Sequence, residues 1–572
     1  MLRTLLLVLG LPSATLLVFL ALAAREERAD FVFATEEPRT IDPHRVSWLA
    51  EIQVANALFE GLTRVDPRTL QPEPAVAASW ERSADRLEYT FHLRPDARWS
   101  NGERVVAEHF RYAWLRALDP ATQSQYAALL FVIDGAERFY RARLDGAAST
   151  AASRGAESVG VDAPDADTLR VRLAGPCPYF LDLTSFPTFA PVYPPLLERW
   201  RAGGRAADAE RTLHLWTRAE NIISNGAFVL TRWDFKRRLW LERNAHYWDR
   251  EHVALRTIEV YITADPNAAL LGFETGRIDL YRQLSTPVAR VLLEQQRRGE
   301  RRDFRVGPRL ATYFYRVNCR RPPLDNPDLR KALSLAIDRE AICEQVMGLG
   351  ETPAYTYVPR GALAAMPRTT RDGRTILYAP PTGLGEGLAA AEREALAREH
   401  LRRSGFAARF PSRAIEISFA ANPDYQRVAE AMQAMWERVL GVRVDLRAIE
   451  GKVLSERIRN LDYDVARSDW FGDYLDPGTF LDMFTSTSGQ NRTGWSDATY
   501  DGWIAAATRE PDDERRYGLF QQAERRLCVE ELPIIPVYFR SGNMLLRARF
   551  EGLDDNIRDL LPIHRARPVA FE

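Results

Sequence analysis

The sequence predicts a mixed α/β fold, and three observations carry that reading. Short strand-like runs alternate with helix-like stretches along the whole chain. Hydrophobic residues make up 46% and charged residues 27%, the balance of an ordinary globular protein. The 572 residues suffice for about two to four domains with large cores.

The strand candidates are 30–34, 88–93, 168–173, 239–242, 257–262 and 415–419. The helix candidates, with apolar residues at three- and four-residue spacing, are 107–118, 267–275, 329–346, 388–404, 425–440 and 512–529. Asp328 is expected to cap the helix that follows it, and Gly405 to close the one ending at Ser404 in the left-handed conformation. Residues 361–387, with five Gly and three Pro, read as a surface excursion, and 147–160 as a smaller Ala/Gly/Ser-rich one.

Seventy-seven basic residues against 78 acidic ones leave a net charge of −1, so no overall field favours nucleic acid. Lysine occurs only at Lys236, Lys331 and Lys452, so the abundance of arginine reads as a bias of composition rather than a phosphate-binding surface. Cys177, Cys319, Cys343 and Cys528 form no Cys-x-x-Cys pair and no zinc pattern; disulfides and buried free thiols both stay open. No zinc-protease helix motif, nucleophile elbow, phosphate-binding loop or dinucleotide fingerprint occurs, so the chain is not expected to be an enzyme and no cofactor or metal is implied. His109 and His246 read as packed or surface residues.

Arg3 precedes an apolar run from Leu5 to Ala24 that is followed by Arg25, Glu26, Glu27 and Arg28. Residues 1–29 are therefore an export signal, with Ala21 and Ala23 forming an Ala-x-Ala cleavage site, or an uncleaved membrane anchor. No cysteine precedes Cys177, which excludes an N-terminal lipoprotein anchor. The expected location is the periplasm or the outer face of the cytoplasmic membrane.

Four blocks stand in order along residues 30–572. They contain Trp80, Tyr89 to Arg94, Trp99 to Gly102 and Leu118 to Pro120; then Asn225 to Phe228, Leu241 to Asn244 and Gly276 to Asp279; then Leu329 to Leu333 and Ala336 to Arg339; then Trp470 to Pro477 and Pro533 to Tyr538. Together they resemble the extracytoplasmic solute-binding proteins of the oligopeptide and dipeptide ABC importers. The resemblance implies a two-lobed periplasmic-binding-protein fold with an extra inserted domain, three domains in all. Domain I would comprise 30–65, 187–310 and 541–572, domain II 66–186 and domain III 311–540. It also implies a monomer without catalysis that captures short peptides and delivers them to permease and ATPase subunits.

A receptor for peptides of many sequences must hold the backbone and the charged ends that all peptides share. Pairing as an extra strand supplies the first, and the run Arg467, Ser468, Asp469, Trp470, Phe471 is the candidate edge. A buried α-ammonium needs a carboxylate partner. Asp473 is the candidate, and in the resemblance the aspartate three residues after this tryptophan takes the peptide amino terminus. The structural alternative is a turn cap near Asp476 and Pro477. The resemblance further assigns Ser47, Trp48 and Leu49 to the other side of the peptide backbone and Arg467 to a short peptide's carboxylate. Tyr126 would pack on the ligand, or be a buried core tyrosine.

Three departures leave peptide length open. A pocket tryptophan falls at Gly451, a histidine near Gln426 and an arginine near Ile458. Asp469 replaces a small residue, and a second carboxylate there predicts better binding of Lys- or Arg-containing peptides. The competing readings are a relative for another solute, such as nickel, a murein peptide or a sugar oligomer, and a membrane-tethered sensor.

Overall fold

Alternating apolar side chains build the strands, and their pairing unites most of the chain. In the computed structural model residues 28–144, 155–203, 215–282, 284–360, 368–369 and 375–569 are described. The N-terminal segment, most of 147–160 and much of the 361–387 excursion therefore lie outside the described residues. Among those described, no helix is long and apolar enough to cross a membrane.

One sheet of eleven strands dominates. In chain order they are β1 (Phe31–Thr35), β2 (Phe228–Asp234), β3 (Arg238–Arg243), β4 (Thr257–Ile262), β5 (Leu280–Tyr281), β6 (Phe304–Val317), β7 (Thr352–Pro353), β8 (Ile415–Ala420), β9 (Val444–Ile449), β10 (Val465–Phe471) and β11 (Ile534–Leu546). Their spatial order is β9-β8-β10-β6-β11-β5-β1-β4-β3-β2, with β7 beside β11. The long strands β6 and β11 run antiparallel through the middle and are the bridge between the two ends. Their register slips between Pro308 and Thr312 and again between Tyr313 and Phe314, so the bridge is bent by bulges. There Arg309 is fixed by Asp555 and Asp559, each at 2.9 Å.

A separate four-stranded sheet, in the order Ala77–Arg82, Glu88–Leu93, Thr168–Arg172, Val161–Asp162, packs its inner face on the helix Ala107–Ala117. Glu88–Leu93 buries every second residue, the period-two pattern that made it legible. At the other end of the molecule the helices Pro327–Leu335 and Pro423–Leu440 cover Tyr313, Tyr315, Ile417 and Val465.

Several expectations are corrected. Asn326, not Asp328, caps the helix Pro327–Leu335, its Oδ1 accepting the Asp328 N–H at 2.9 Å; Asp328 instead meets His400 at 2.7 Å. The expected helix 329–346 is two pieces, because Asp338 caps a new start through the Ala341 N–H at 3.0 Å. The end of the 361–387 excursion is not loose: Tyr378 is buried and gives its hydroxyl to Glu524 at 2.5 Å. Gly405 does close its helix, at φ +66°. The four cysteines are free thiols. His109 is packed, its Nδ1 accepting from Trp99 Nε1 at 3.0 Å, and burial lowers its pKa to about 4.

Candidate functional site

Strand β10 is paired with β6 along its whole length, from Val317 opposite Val465 to Ala311 opposite Phe471. On its other side β8 pairs only with Val465 and Ala466. Residues 467–471 thus present one edge to which no strand is paired among the described residues, the arrangement that accepts an added strand. Alternation sorts the side chains. Ser468 and Trp470 face the side of Phe314, where Trp470 Nε1 donates to the Thr479 carbonyl at 2.7 Å. Arg467, Asp469 and Phe471 face the side of Tyr313, Tyr315 and Tyr538.

Beyond the strand, Gly472 lets the chain pass close to β6. Its N–H donates to Leu310 at 2.8 Å, and a Cβ there would stand 2.8 Å from the Leu310 side chain. The turn that follows is held by Asp476, whose carboxylate accepts the Gly478 N–H at 2.9 Å and both Arg516 nitrogens at 2.6 Å. The capping role that was the structural alternative for Asp473 therefore belongs to Asp476.

Asp473 is held only through its backbone. Its N–H donates to Thr479 Oγ1 and its carbonyl accepts from Arg558 Nη2, both at 3.0 Å. Arg558 is itself paired with Asp182, whose other oxygen accepts the Leu475 N–H at 3.3 Å. Segments distant in sequence thus position this one residue. No hydrogen bond to the Asp473 carboxylate occurs among the described residues. Burial raises its pKa from 3.8 to about 6, opposed by the charge of Arg558. The site is a desolvated anion with no hydrogen-bonded counter-ion.

Tyr126 is close enough that the Asp473 charge adds to the burial raising its hydroxyl pKa; its ring meets Phe186 edge-on at 4.9 Å. Ser47 and Trp48 belong to no strand, although the Trp48 backbone is extended. They lead into the helix Leu49–Leu58, and both N–H groups are taken by Glu51 Oε2 at 2.9 and 3.1 Å. Trp48 and Leu49 are nevertheless exposed, and Arg39 stacks on the Trp48 ring at 4.2 Å.

The reading of Asp469 as a free second carboxylate is corrected. Asp469 Oδ2 accepts from Arg467 at 2.5 Å and Arg540 at 2.8 Å. Burial alone would raise its pKa, but the two guanidinium groups outweigh it and hold the carboxyl below its usual range. Arg467 also lies 3.6 Å from the Tyr425 ring centroid. The cluster carries two cations against one anion, so the basis for a preference toward Lys- or Arg-containing peptides is gone. Sequence reading missed Arg540, whose only signal was its place just after the block at Pro533 to Tyr538. At Gly451, where the resemblance puts a tryptophan, a Cβ would meet nothing within 4 Å.

An eleven-stranded sheet bridged at its middle, a second sheet beside it and a strand edge ending at a desolvated carboxylate define a two-lobed receptor with an inserted domain. The chain belongs to the bacterial extracellular solute-binding proteins, family 5, whose middle-region profile matches residues 71–492. It is 30% identical over 531 residues to the dipeptide-binding protein DppE of Bacillus subtilis, covering 92% of this chain and 89% of that protein. With the periplasmic oligopeptide-binding protein OppA of Salmonella typhimurium it shares 31% over 512 residues, covering 89% and 87%. The structure of the Escherichia coli murein tripeptide binding protein MppA superposes with a TM-score of 0.77 at 30% identity, over 96% of this chain and 99% of that one. Haemophilus influenzae OppA in complex with RPPGFSPFR gives 0.76 at 27% identity, over 95% and 100%.

Proposed function

We propose that this protein is an extracytoplasmic receptor that captures short peptides between its lobes and delivers them to the permease and ATPase subunits of an ABC importer. The observation that carries the reading is the Asp473 carboxylate, half-buried and with no hydrogen-bonded counter-ion among the described residues, at the end of the open 467–471 edge. A peptide lying along that edge gains sequence-independent backbone hydrogen bonds, and its α-ammonium meets a carboxylate whose charge no hydrogen-bonded cation balances among the described residues. Peptide relatives at 30% and 31% identity support the same class of ligand. Arg467, Phe471 and Tyr126 line the ligand's course, with Trp48 and Leu49 opposite and Trp470 setting the strand from behind. The register slips at Pro308 to Phe314 support a hinge there, near the proposed boundary of domains I and III at 310/311. Lobe closure about it would bury the ligand. The N-terminal segment is read as an export signal, cleaved or kept as a membrane anchor.

Calorimetric titration tests the reading. The protein, unfolded and refolded to strip carried-over ligand, is titrated with Ala-Ala-Ala and its N-acetylated form. Tight binding of the free amine with at least about a tenfold loss on acetylation, about 1.4 kcal/mol, is expected. Equal binding of both forms, or of neither, overturns it.

A further inference from the structure

Arg540 lies beside the proposed ligand edge, and neither the family resemblance nor the four sequence blocks give it a role. It follows Phe539 on β11, which faces Thr312 across the sheet. Its Nη1 donates to Asp469 Oδ2 at 2.8 Å, and its guanidinium lies 5.4 Å from the centroid of Phe471. Phe471 is 51% exposed and is the last residue of the open edge. The Arg540 side chain keeps 27% of its surface open, and no hydrogen bond engages its Nε or Nη2 among the described residues.

We propose that Arg540 is a specificity-determining residue that selects peptides carrying an acidic side chain near the amino terminus. The inference deepens the peptide-receptor reading and rests on it. With the amino end fixed at Asp473, a strand paired to β10 runs back past Phe471 toward Arg467, at about 3.3 Å per residue. Its first two or three side chains therefore pass the Asp469–Arg540 pair. Asp469 uses one face of the Arg540 fork and leaves donors for a second carboxylate, the geometry a planar guanidinium offers. Beside the edge two guanidinium groups, Arg467 and Arg540, share the single carboxylate of Asp469, while the Glu351 carboxylate keeps its charge but is directed to the Ser541 hydroxyl at 2.8 Å and the Leu349 N–H at 2.9 Å.

The test compares Ala-Glu-Ala, Ala-Gln-Ala and N-acetyl-Ala-Glu-Ala by calorimetry on the stripped wild-type protein, Arg540→Gln and Arg540→Lys. Wild type is expected to prefer Glu over Gln by about fivefold, the scale of a half-exposed ion pair, and less at high salt. Arg540→Gln abolishes the preference, Arg540→Lys keeps part of it, and both retain the loss on acetylation. Equal Glu and Gln affinities in wild type, or an unchanged preference in Arg540→Gln, overturn the inference while the acetylation effect leaves the receptor reading standing. If no peptide binds wild type, both fall together.

Discussion

Replacing Asp473 by Asn exchanges its charge for a neutral amide of the same shape and tests the central contact directly. Burial lifts this carboxyl from 3.8 to about 6, and two units at 1.36 kcal/mol each cost the ionised form about 3 kcal/mol. A paired ammonium offsets a cost of that order, so Asp473→Asn should weaken a tripeptide about 100-fold, measured by calorimetry at pH 7. Peptide binds the ionised form, so wild-type affinity should drop about tenfold from pH 7 to pH 5. It should drop again above about pH 8 as the peptide amine loses its proton. Stability moves the other way. A carboxyl whose folded pKa is raised supports the fold below its unfolded value near 4 and loses that support as pH rises through about 6. The unliganded Asn variant should therefore melt above wild type at pH 7 and level with it at pH 4. An Asn variant that binds as tightly as wild type, or an affinity flat between pH 5 and 7, would refute the reasoning.

Asp476→Ala strands the Arg516 guanidinium, which is buried and bonded to that carboxylate at 2.6 Å through two nitrogens; a loss of about 3–5 kcal/mol is expected in urea unfolding. The double variant with Arg516→Met should recover much of it. Gly472→Ala drives a methyl to 2.8 Å from Leu310. It should cost about 1–3 kcal/mol and weaken peptide binding as well, since Phe471 and Asp473 flank it. Glu51→Ala uncaps the helix Leu49–Leu58 by releasing the Ser47 and Trp48 N–H groups; thermal melting should show a loss of about 1 kcal/mol.

The class of fold was legible because strands such as Glu88–Leu93 and Thr257–Ile262 follow the patterns that single-sequence reading detects, and their bounds were read as they stand. The long strands β6 and β11 were not, because Pro308, Pro536 and Gly542 interrupt them and the bulges that absorb such residues exist only once the partner strand is in place. The helix Leu49–Leu58 lacked its usual start signal. Its N-cap is Trp48, which makes no side-chain cap hydrogen bond, and Glu51 supplies the cap from inside the helix. Asp473 stood out by its spacing from Trp470, but its position depends on Arg558 and Asp182, which sequence order keeps far away. The pairing of Asp469 with Arg540 spans 71 residues. Seen alone, Asp469 looked like a free negative charge, and only the sheet order reveals the guanidinium that reverses its meaning.

Strand β11 also sets a timetable. It pairs with β6 from Ile534 to Leu545 and, through Leu545 and Leu546, with β5, so among the described residues it ties β6 and the β10 side of the sheet to β5 and the β1 side. A chain emerging amino end first can assemble local pieces on either side, but the seam between them stays unsewn until the residues near 546 arrive. Until then β5 and β6 each show a bare edge, the state in which sheets find wrong partners. Truncation that removes β11 (Ile534–Leu546) should therefore yield an aggregating chain instead of a smaller working receptor.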